Sequence, residues 1–420
     1  MFLPVLAASS TILGIDVQYW PFVVLFVCIA AVITMISVLR VHAFIALVFA
    51  AFLAGFMTYS FKTEALNKIG GATKVDAQVN QWVAAVELTS VELGGAAASI
   101  AISIGLASII GLCLMESGAA DKVVRRFLAA FGEKRAALAI LVSTYILSIP
   151  IFFDTMFMLM VPLARALRLR TGKDYMLYVM CICCGGVITH SLTVPHPGPL
   201  AMVDNLKVEA GASLLWGIIA GAIPCGLGYF VAKRINSRTP VELREIPGAP
   251  LEDLHGISAK PESELPSFFA SILPVIGPIF LISTASFAKF QYPDLTVTDL
   301  PTWARTCLFL GNKNIALLLG TVVALWVLAR QRNLGFHAVE RLIGPPIETA
   351  GVIILITAAG GAFGGMLRNA GVGDAINLVA SHYRINMIFL GWLVAVVLRI
   401  AQGSATVAML TTSAIIYPMI

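Results

Sequence analysis

Most of the chain consists of long apolar runs that short polar segments separate. A helix needs about 20 residues to cross the hydrocarbon core of a bilayer. Seven runs approach or exceed this length, at 21–39, 41–59, 94–115, 212–232, 268–288, 306–329 and 346–366. Three more are overlong and interrupted by Pro, Gly or polar residues, at 136–164, 175–206 and 386–420. The pattern predicts an all-α polytopic membrane protein.

The amino-acid composition is typical of a membrane protein, and the distribution of charge argues against a nucleic-acid partner. Hydrophobic residues make up 59% of the 420 and charged residues only 12%, whereas soluble domains carry about 25% charged residues. The net charge of +5 is explained by loop charges that orient the spans. No basic face alternates with aromatic residues, as a nucleic-acid partner would require. The seven cysteines lie mostly in apolar runs, where a thiol acts as a small hydrophobe, and no cofactor is predicted.

Lys and Arg residues are distributed unevenly between alternate loops. If Arg40 is cytoplasmic, 18 of the 28 Lys and Arg residues fall inside and nine outside, which predicts an external N-terminus. The count requires Arg135 and the basic cluster at 165–173 to share one side, although apolar residues 136–164 separate them. The chain is therefore predicted to enter the membrane and return as a re-entrant hairpin broken at Pro150. The alternative is one tilted helix kinked at Pro150.

An internal repeat in the sequence predicts a second break, in the last apolar run. Residues 107–121 align with 360–374 at a constant offset of 253, with four identical positions. The same offset carries Pro150 onto Gly403, within a polar interruption of the last apolar run. By the loop count the two copies have opposite topology, and broken helices in inverted repeats are typical of secondary transporters.

The repeat divides the chain into five predicted parts. They are N-terminal scaffold spans (1–93), a first repeat (94–232) with its hairpin near 136–164, a cytoplasmic linker (233–267), linking scaffold spans (268–345) and a second repeat (346–420). Segments 119–135 and 372–385 are predicted interfacial arms leading into the hairpins. The offset carries His190 beyond Ile420, so we expect the second repeat to continue, in a protein of about 485 residues.

The run 175–206 contains a second kind of interruption, in the sequence THSLTVPHPGP. Two glycines and three prolines are expected to unwind this span and to expose polar side chains on irregular backbone. The glycines are Gly185 and Gly186, the prolines are Pro195, Pro197 and Pro199, and the exposed residues are Thr189, His190, Ser191, Thr193 and His196. The two histidines define no metal site, because no third ligand is evident.

Four motifs in this order resemble the gluconate permease (GntP) family of the ion transporter superfamily. They are SGAAD, PIFFDTMFMLMVPLA, THSLTVPHPGPLA and LRIAQGSATVAML. The resemblance implies a proton-coupled importer of gluconate or a similar sugar-acid anion, not an enzyme, in the bacterial inner membrane. It also implies a homodimer, an elevator movement and two re-entrant tips. A further unwound segment of the family, of H-x-N-D-S type, has no counterpart before Ile420.

Carried over residue by residue, the resemblance implies a set of substrate contacts. The set is Pro150, Phe153, Asp154, Thr189, His190, Ser191, Thr193, Gln402, Gly403, Ser404 and Thr406. Hydroxyls suit the substrate hydroxyls, and the N-termini of the second half-helices suit its carboxylate.

Two ionisable residues lie deepest in apolar runs, Asp154 and Arg399. Intramembrane charges are expensive and mark functional candidates. Asp154, tuned by burial and by neighbouring charge, is predicted to carry the proton, with His190 as the second candidate. Arg399 either pairs permanently with Asp154 or receives the substrate carboxylate.

Rival functions stay open at this point. The closest is a Na⁺- or H⁺-coupled carrier of another small carboxylate or amino acid, such as D-serine, glycerate or a dicarboxylate. An intramembrane metal-dependent hydrolase would need a motif such as HExxH or GxSxG, and neither occurs.

Overall fold

The computed structural model describes residues 11–70, 80–239, 241–243, 261–292, 299–383, 386–402 and 405–417. Helices dominate these residues, and one short antiparallel hairpin pairs β1 (Thr11–Ile12) with β2 (Ile15–Asp16). In hydrocarbon a helix satisfies its own backbone hydrogen bonds, so apolar runs of this kind fold as helices. The prediction of an all-α polytopic membrane protein is confirmed.

The first half of the chain contains ten helices within the described residues. They are α1 (Trp20–Ile33), α2 (Ala43–Met57), α3 (Thr63–Leu66), α4 (Gln81–Glu116), α5 (Ala119–Phe131), α6 (Ala136–Leu147), α7 (Phe153–Thr171), α8 (Tyr175–Leu192), α9 (Pro197–Leu206) and α10 (Ala210–Arg238). A π-helical turn, Thr34–Val38, extends α1.

Seven helices follow in the described part of the second half. They are α11 (Phe268–Gln291), α12 (Thr302–Leu310), α13 (Lys313–Arg332), α14 (Phe336–Asn369), α15 (Val372–Tyr383), α16 (Met387–Gln402) and α17 (Ala405–Ile416).

Seven helical segments of the described chain are long and apolar enough to cross a membrane. Several bounds differ from the predicted runs, because polar residues continue a helix beyond its apolar part. Helix α4 begins at Gln81 rather than near 94, and α14 begins at Phe336 rather than near 346. The predicted span 306–329 is two helices, because the chain breaks at Gly311 and the side chain of Asn312 caps α13.

The predicted linker 233–267 begins too early. Helix α10 continues to Arg238, and a 3₁₀ turn, Glu262–Glu264, precedes α11. Lys122 Nζ lies 2.6 Å from Glu262 Oε1 and joins that turn to α5. Most of the remaining linker lies outside the described residues.

The chain forms two compact units. One comprises Met1–Ala101, Ala201–Lys207 and Val352–Ile420, and the other comprises Ile102–Leu200 and Val208–Gly351. Each has its own buried apolar core: Leu47, Leu88 and Phe363 belong to the first, and Ile140 and Leu147 belong to the second.

Helices α6 and α8 of the second unit run parallel and very close together. A Cβ atom at Gly185 would lie 2.8 Å from Leu141 O and 3.0 Å from Tyr145 N, so only glycine permits this approach. Four residues later, Thr189 Oγ1 donates to Tyr145 O at 3.0 Å. As the position on α8 advances from Gly185 to Thr189, its contact on α6 advances from Leu141 to Tyr145. Helices α6 and α8 therefore run in the same direction.

Helix α7 runs the opposite way along α8. Its first residue, Phe153, packs against Gly186 near the end of α8. Its last residue, Thr171, has Oγ1 3.2 Å from Oη of Tyr178 near the start of α8. The chain therefore reverses direction between α6 and α7, and residues 136–164 are not a single kinked helix.

We predict that Gly185→Ala destabilises the packing of α6 on α8. The added methyl group would meet backbone atoms that cannot rotate away, and overpacking of this kind costs about 1–3 kcal/mol. Thermal unfolding of the purified protein in detergent measures the effect.

The matched control is Gly226→Ala in α10, where a Cβ atom would have no neighbour within 4 Å. Helix propensity alone favours Ala over Gly by about 1 kcal/mol. The control is expected to unfold at or above the temperature of the unmodified chain. Equal unfolding temperatures for both variants would contradict the close packing at Gly185.

Candidate functional site

The first break in the apolar chain, residues 148–152, separates α6 from α7. Ser148 ends α6, and its N–H donates to Thr144 O at 2.9 Å. Phe152 precedes α7, and no side chain caps the N–H groups that follow it. The first N–H groups of a helix have no intrahelical partner and carry partial positive charge. The N-terminus of α7 is therefore suited to an anion.

Residues of this first break are packed rather than exposed. Pro150 is buried, Ile149 is 4% exposed and Ile151 is fully buried. The side chain of Ile151 lies against Gly111 of α4. Apolar packing thus holds the reversal in place while its backbone polar groups need other partners.

His196 supplies one of those partners. Its Nε2 atom lies 2.6 Å from the carbonyl oxygen of Ser148, and its side chain is 2% exposed. A carbonyl oxygen only accepts hydrogen bonds, so Nε2 carries the proton and donates. This bond ties the end of α6 to the segment between α8 and α9.

The second interruption is shorter than the sequence predicted. Helix α8 continues through Gly185 and Gly186 to Leu192, and only residues 193–196 are non-helical before α9. The two glycines allow close approach to α6 and Phe153 rather than unwinding the helix. Pro197 and Pro199 lie in the first turn of α9, where a missing N–H group costs little.

Thr189, His190 and Ser191 consequently lie on the last turn of α8 and not on irregular backbone. Thr189 Oγ1 shares its single proton between Tyr145 O and Gly185 O, the latter at 2.9 Å. Thr193 Oγ1 donates to Thr189 O at 2.7 Å. Both threonine side chains are fully buried. Their hydroxyl protons already have protein acceptors, and only their lone pairs remain for a ligand.

Two buried polar atoms near the first break have no partner. They are Ser148 Oγ and His190 Nδ1. The His190 and His196 rings are 4.4 Å apart between centroids, and the Phe152 ring is 6.3 Å from that of His190. An unpaired buried polar atom is costly, so such atoms usually meet a ligand or a water. We take Ser148, His190 and the N-terminus of α7 as the candidate site.

Asp154 lies in the first turn of α7, beside this site. Its side chain is exposed, so the burial that the sequence suggested for this carboxylate is not observed. A carboxylate in this turn is favoured by the helix dipole. Arg399, on α16 of the other unit, is also exposed.

The second predicted tip is described only in part. Gly403, Ser404 and the side chain of Gln402 lie outside the described residues, and Thr406 is half-buried in the first turn of α17. A Cβ atom at Gly391 would lie 2.9 Å from Ile416 Cδ1, which places the start of α16 beside the end of α17. These two helices are therefore antiparallel, as α6 and α7 are.

Some polar residues were missed by sequence reasoning. Ser148 was passed over although it is the first residue of the break and lies two residues before Pro150, a position that could have identified it. Thr411 and Thr412 of α17 also have buried hydroxyls without a partner. Nothing in their local sequence distinguishes them from threonines bonded one turn back.

No metal centre is formed by the described residues: no three His, Cys, Asp or Glu side chains come together with ligand geometry. His190 and His196, whose ring planes are tilted by 54°, form a pair without a third ligand among these residues.

Comparison with known proteins identifies the family. The family model for GntP family permease matches residues 79–420. The chain belongs to the GntP permease family. This GntP permease is 31% identical over 396 residues to a gluconate permease of Pseudomonas aeruginosa, with 94% of this chain and 81% of the relative covered.

Two Escherichia coli K12 relatives cover the chain equally well. The Gnt-II system L-idonate transporter is 28% identical over 400 residues, which cover 95% of this permease and 84% of the relative. The high-affinity gluconate transporter is 26% identical over 404 residues, with the same two shares. The resemblance drawn from the four motifs is confirmed, and membership places the chain among multi-pass membrane permeases rather than enzymes.

We predict that His196→Leu destabilises the permease more than His196→Gln. Leucine leaves the buried Ser148 carbonyl without a donor, which costs about 1–3 kcal/mol, whereas glutamine keeps an N–H group. Thermal unfolding in detergent compares the two variants. The control is His337→Leu, because the His337 side chain is 92% exposed. Equal losses for leucine and glutamine at position 196 would contradict a structural hydrogen bond.

Proposed function

We propose that this GntP permease imports gluconate or a closely related sugar-acid anion by proton symport across a bacterial inner membrane. The observation that carries the proposal is the uncapped N-terminus of α7 with the unpaired Ser148 Oγ and His190 Nδ1 beside it. The names of the relatives support the substrate class. Gluconate and L-idonate are both six-carbon sugar acids that differ in stereochemistry.

The chemistry of a sugar acid fits these groups. Its single carboxylate needs donors in a place of low dielectric constant, and the first N–H groups of α7 are such donors. Its hydroxyls both donate and accept, and so do a serine hydroxyl and a neutral imidazole. Phe153 and Pro150 shape the apolar side of this site, and Gln402, Gly403, Ser404 and Thr406 keep their predicted role in substrate binding.

Helix lengths support a re-entrant reading of the reversal at residues 148–152. Helix α6 has 12 residues, and α16, at the corresponding place in the second half, has 16. At 1.5 Å per residue they are about 18 Å and about 24 Å long, shorter than a core of about 30 Å. We propose that α6 and α7 enter and leave at one membrane face, with the N-terminus of the chain outside.

The helix bounds also support the inverted repeat. Helices α4 and α5 meet at Gly118 as α14 and α15 meet at Gly371, and these glycines have φ of 75° and 81°. Each occupies the left-handed conformation that ends many helices. The repeat, with its elevator movement and homodimer, remains part of the proposal.

We propose that Asp154 carries the coupled proton, and His190 is the second candidate for this role. Asp154 lies in the first turn of α7, close enough to His190 for their charges to interact. An exposed carboxylate beside an imidazole can take a proton from one aqueous side and share it with the site. Arg399 is retained as a charge partner of the substrate or of Asp154.

The proposed function predicts uptake of labelled gluconate against its gradient by proteoliposomes that contain the permease. An imposed pH gradient, acidic outside, is expected to drive accumulation, and a protonophore is expected to abolish it. Drive by a Na⁺ gradient instead would reject proton symport. Equilibration without accumulation under either gradient would indicate a channel.

Asp154→Asn is expected to abolish accumulation under a pH gradient while equilibrium exchange of labelled gluconate continues. The amide cannot carry the proton, but it keeps the size of the side chain. Asp16→Asn serves as the control, because Asp16 is exposed and caps a short turn that Asn also caps. Unchanged pH dependence of uptake in Asp154→Asn would remove this residue as the proton carrier.

A further inference from the structure

Four cationic side chains of the first unit converge on one cavity of about 500 Å³. They are Lys62, Lys68, Lys207 and Arg368, here called the cationic basin. Lys62 and Lys68 flank α3, Lys207 follows α9 and Arg368 lies in the last turn of α14. The charge count predicts all four to lie on the outer side. The volume falls within the range of about 300–1,000 Å³ that small-molecule sites occupy.

Existing ion pairs leave the cationic basin with an excess of positive charge. Glu92 binds two of its members at once: Lys68 Nζ lies 2.7 Å from Oε1 and Arg368 Nη2 lies 3.0 Å from Oε2. Asn369 Nδ2 donates to the same carboxylate at 3.2 Å. The single carboxylate of Glu92 thus pairs with two cations and also accepts from Asn369. One negative charge therefore stands against the two positive charges of Lys68 and Arg368.

The remaining pair of the cationic basin can open at little cost. Lys62 Nζ lies 2.7 Å from Asp374 Oδ2, and the two side chains are 66% and 57% exposed. Exposed ion pairs contribute little stability, so Lys62 can turn toward another anion. Glu64 is the second carboxylate that lines the cavity.

Lys207 differs from the other three cations of the cationic basin in its pairing and in its backbone conformation. No carboxylate among the described residues forms an ion pair with it, and its side chain is exposed. Its backbone has φ of 56°, directly after the end of α9. Glycine or asparagine usually occupies such a position, because a side chain disfavours left-handed backbone. A lysine held there indicates a use for its charge.

We propose that the cationic basin is a second anion site, an outer vestibule that captures the small hydroxy carboxylate before transport. The identity of the anion rests on the proposed function, whereas the site rests on the convergence of charges. Lys207 and Lys62 bind the carboxylate, and Tyr417, which also lines the cavity, offers a hydrogen bond to a hydroxyl. Asn205 offers its amide oxygen, because its Nδ2 already donates to Leu410 O and Ser413 Oγ. The vestibule raises the local concentration of substrate and takes no part in proton coupling.

Substrate uptake by proteoliposomes tests the capture step. Lys207→Asn removes the charge with a residue that tolerates left-handed backbone, so folding is preserved. It is expected to raise KM for gluconate about three- to tenfold at low ionic strength and to leave kcat within about twofold. The difference should vanish near 1 M salt, where the Debye length is about 3 Å. Lys207→Arg should behave like the unmodified permease.

The matched control is Lys289→Asn, which makes the same change of net charge at an exposed lysine outside the cavity. It is expected to leave KM unchanged. Equal effects of Lys207→Asn and Lys289→Asn, or a loss of kcat without a change in KM, would overturn the proposal.

A measurement that does not involve transport distinguishes a failure of the vestibule from a failure of the proposed function. Tyr417→Cys places a thiol in the cavity, and reaction rates with an anionic and a neutral thiol reagent are compared, with the native cysteines as background. Addition of Lys207→Asn is expected to lower the anionic-to-neutral ratio about twofold or more. An unchanged ratio would overturn the vestibule even if gluconate is transported, and a lowered ratio would support it even if gluconate is not.

An anionic lipid headgroup carries the same sign of charge as a free carboxylate, and vesicle composition distinguishes the two anions. The KM effect of Lys207→Asn is expected both in purely zwitterionic vesicles and in vesicles that contain phosphatidylglycerol. An effect confined to the phosphatidylglycerol vesicles would assign the basin to lipid and overturn the proposal.

Discussion

The structure depends on how backbone polar groups are satisfied where an apolar chain reverses direction. Residues 148–152 break a helix inside one of the most apolar parts of the sequence, and unpaired carbonyl and N–H groups are costly there. His196 donates to the Ser148 carbonyl, and Thr189 donates to the Tyr145 carbonyl one turn earlier. These bonds bind the end of α6 to the end of α8, and the N-terminus of α7 remains open. The break that makes the reversal possible also provides the helix end that we propose binds the substrate anion.

Close helix packing is what brings those donors within reach. Gly185 and Gly186 let α8 approach α6 and Phe153 at distances that any side chain would forbid. Thr189 then lies opposite Tyr145, and the four residues that follow α8 carry His196 to the break. Packing, hydrogen bonding and the proposed substrate site are therefore consequences of the same two glycines.

Much of the fold could be predicted from the sequence, because the length of each apolar run predicts a membrane helix and the Lys and Arg residues of each loop predict its side of the membrane. The reversal at Pro150 and the start of α5 after Gly118 follow from a proline and a glycine that admit few conformations. The role of Gly185 and Gly186 could not be predicted, since a glycine pair permits either unwinding or close packing and only the neighbouring helix decides. Burial of Asp154 was expected from its apolar neighbours, yet Asp154 lies on the exposed face of α7, which it shares with Met158, while Met156 lies on the buried face. The partner of His196 is a distant carbonyl group, which no spacing rule reveals.

We propose that α6 and α7 form a hairpin that enters and leaves at one membrane face. Single cysteines at Arg135 and Lys173, both exposed beyond the ends of the hairpin, can be labelled with an impermeant reagent in sealed vesicles of known orientation. Cysteines at Val208 and Arg238, at the two ends of the spanning helix α10, provide the reference for opposite faces. A re-entrant hairpin predicts that positions 135 and 173 react from the same side. Reaction from opposite sides would contradict it.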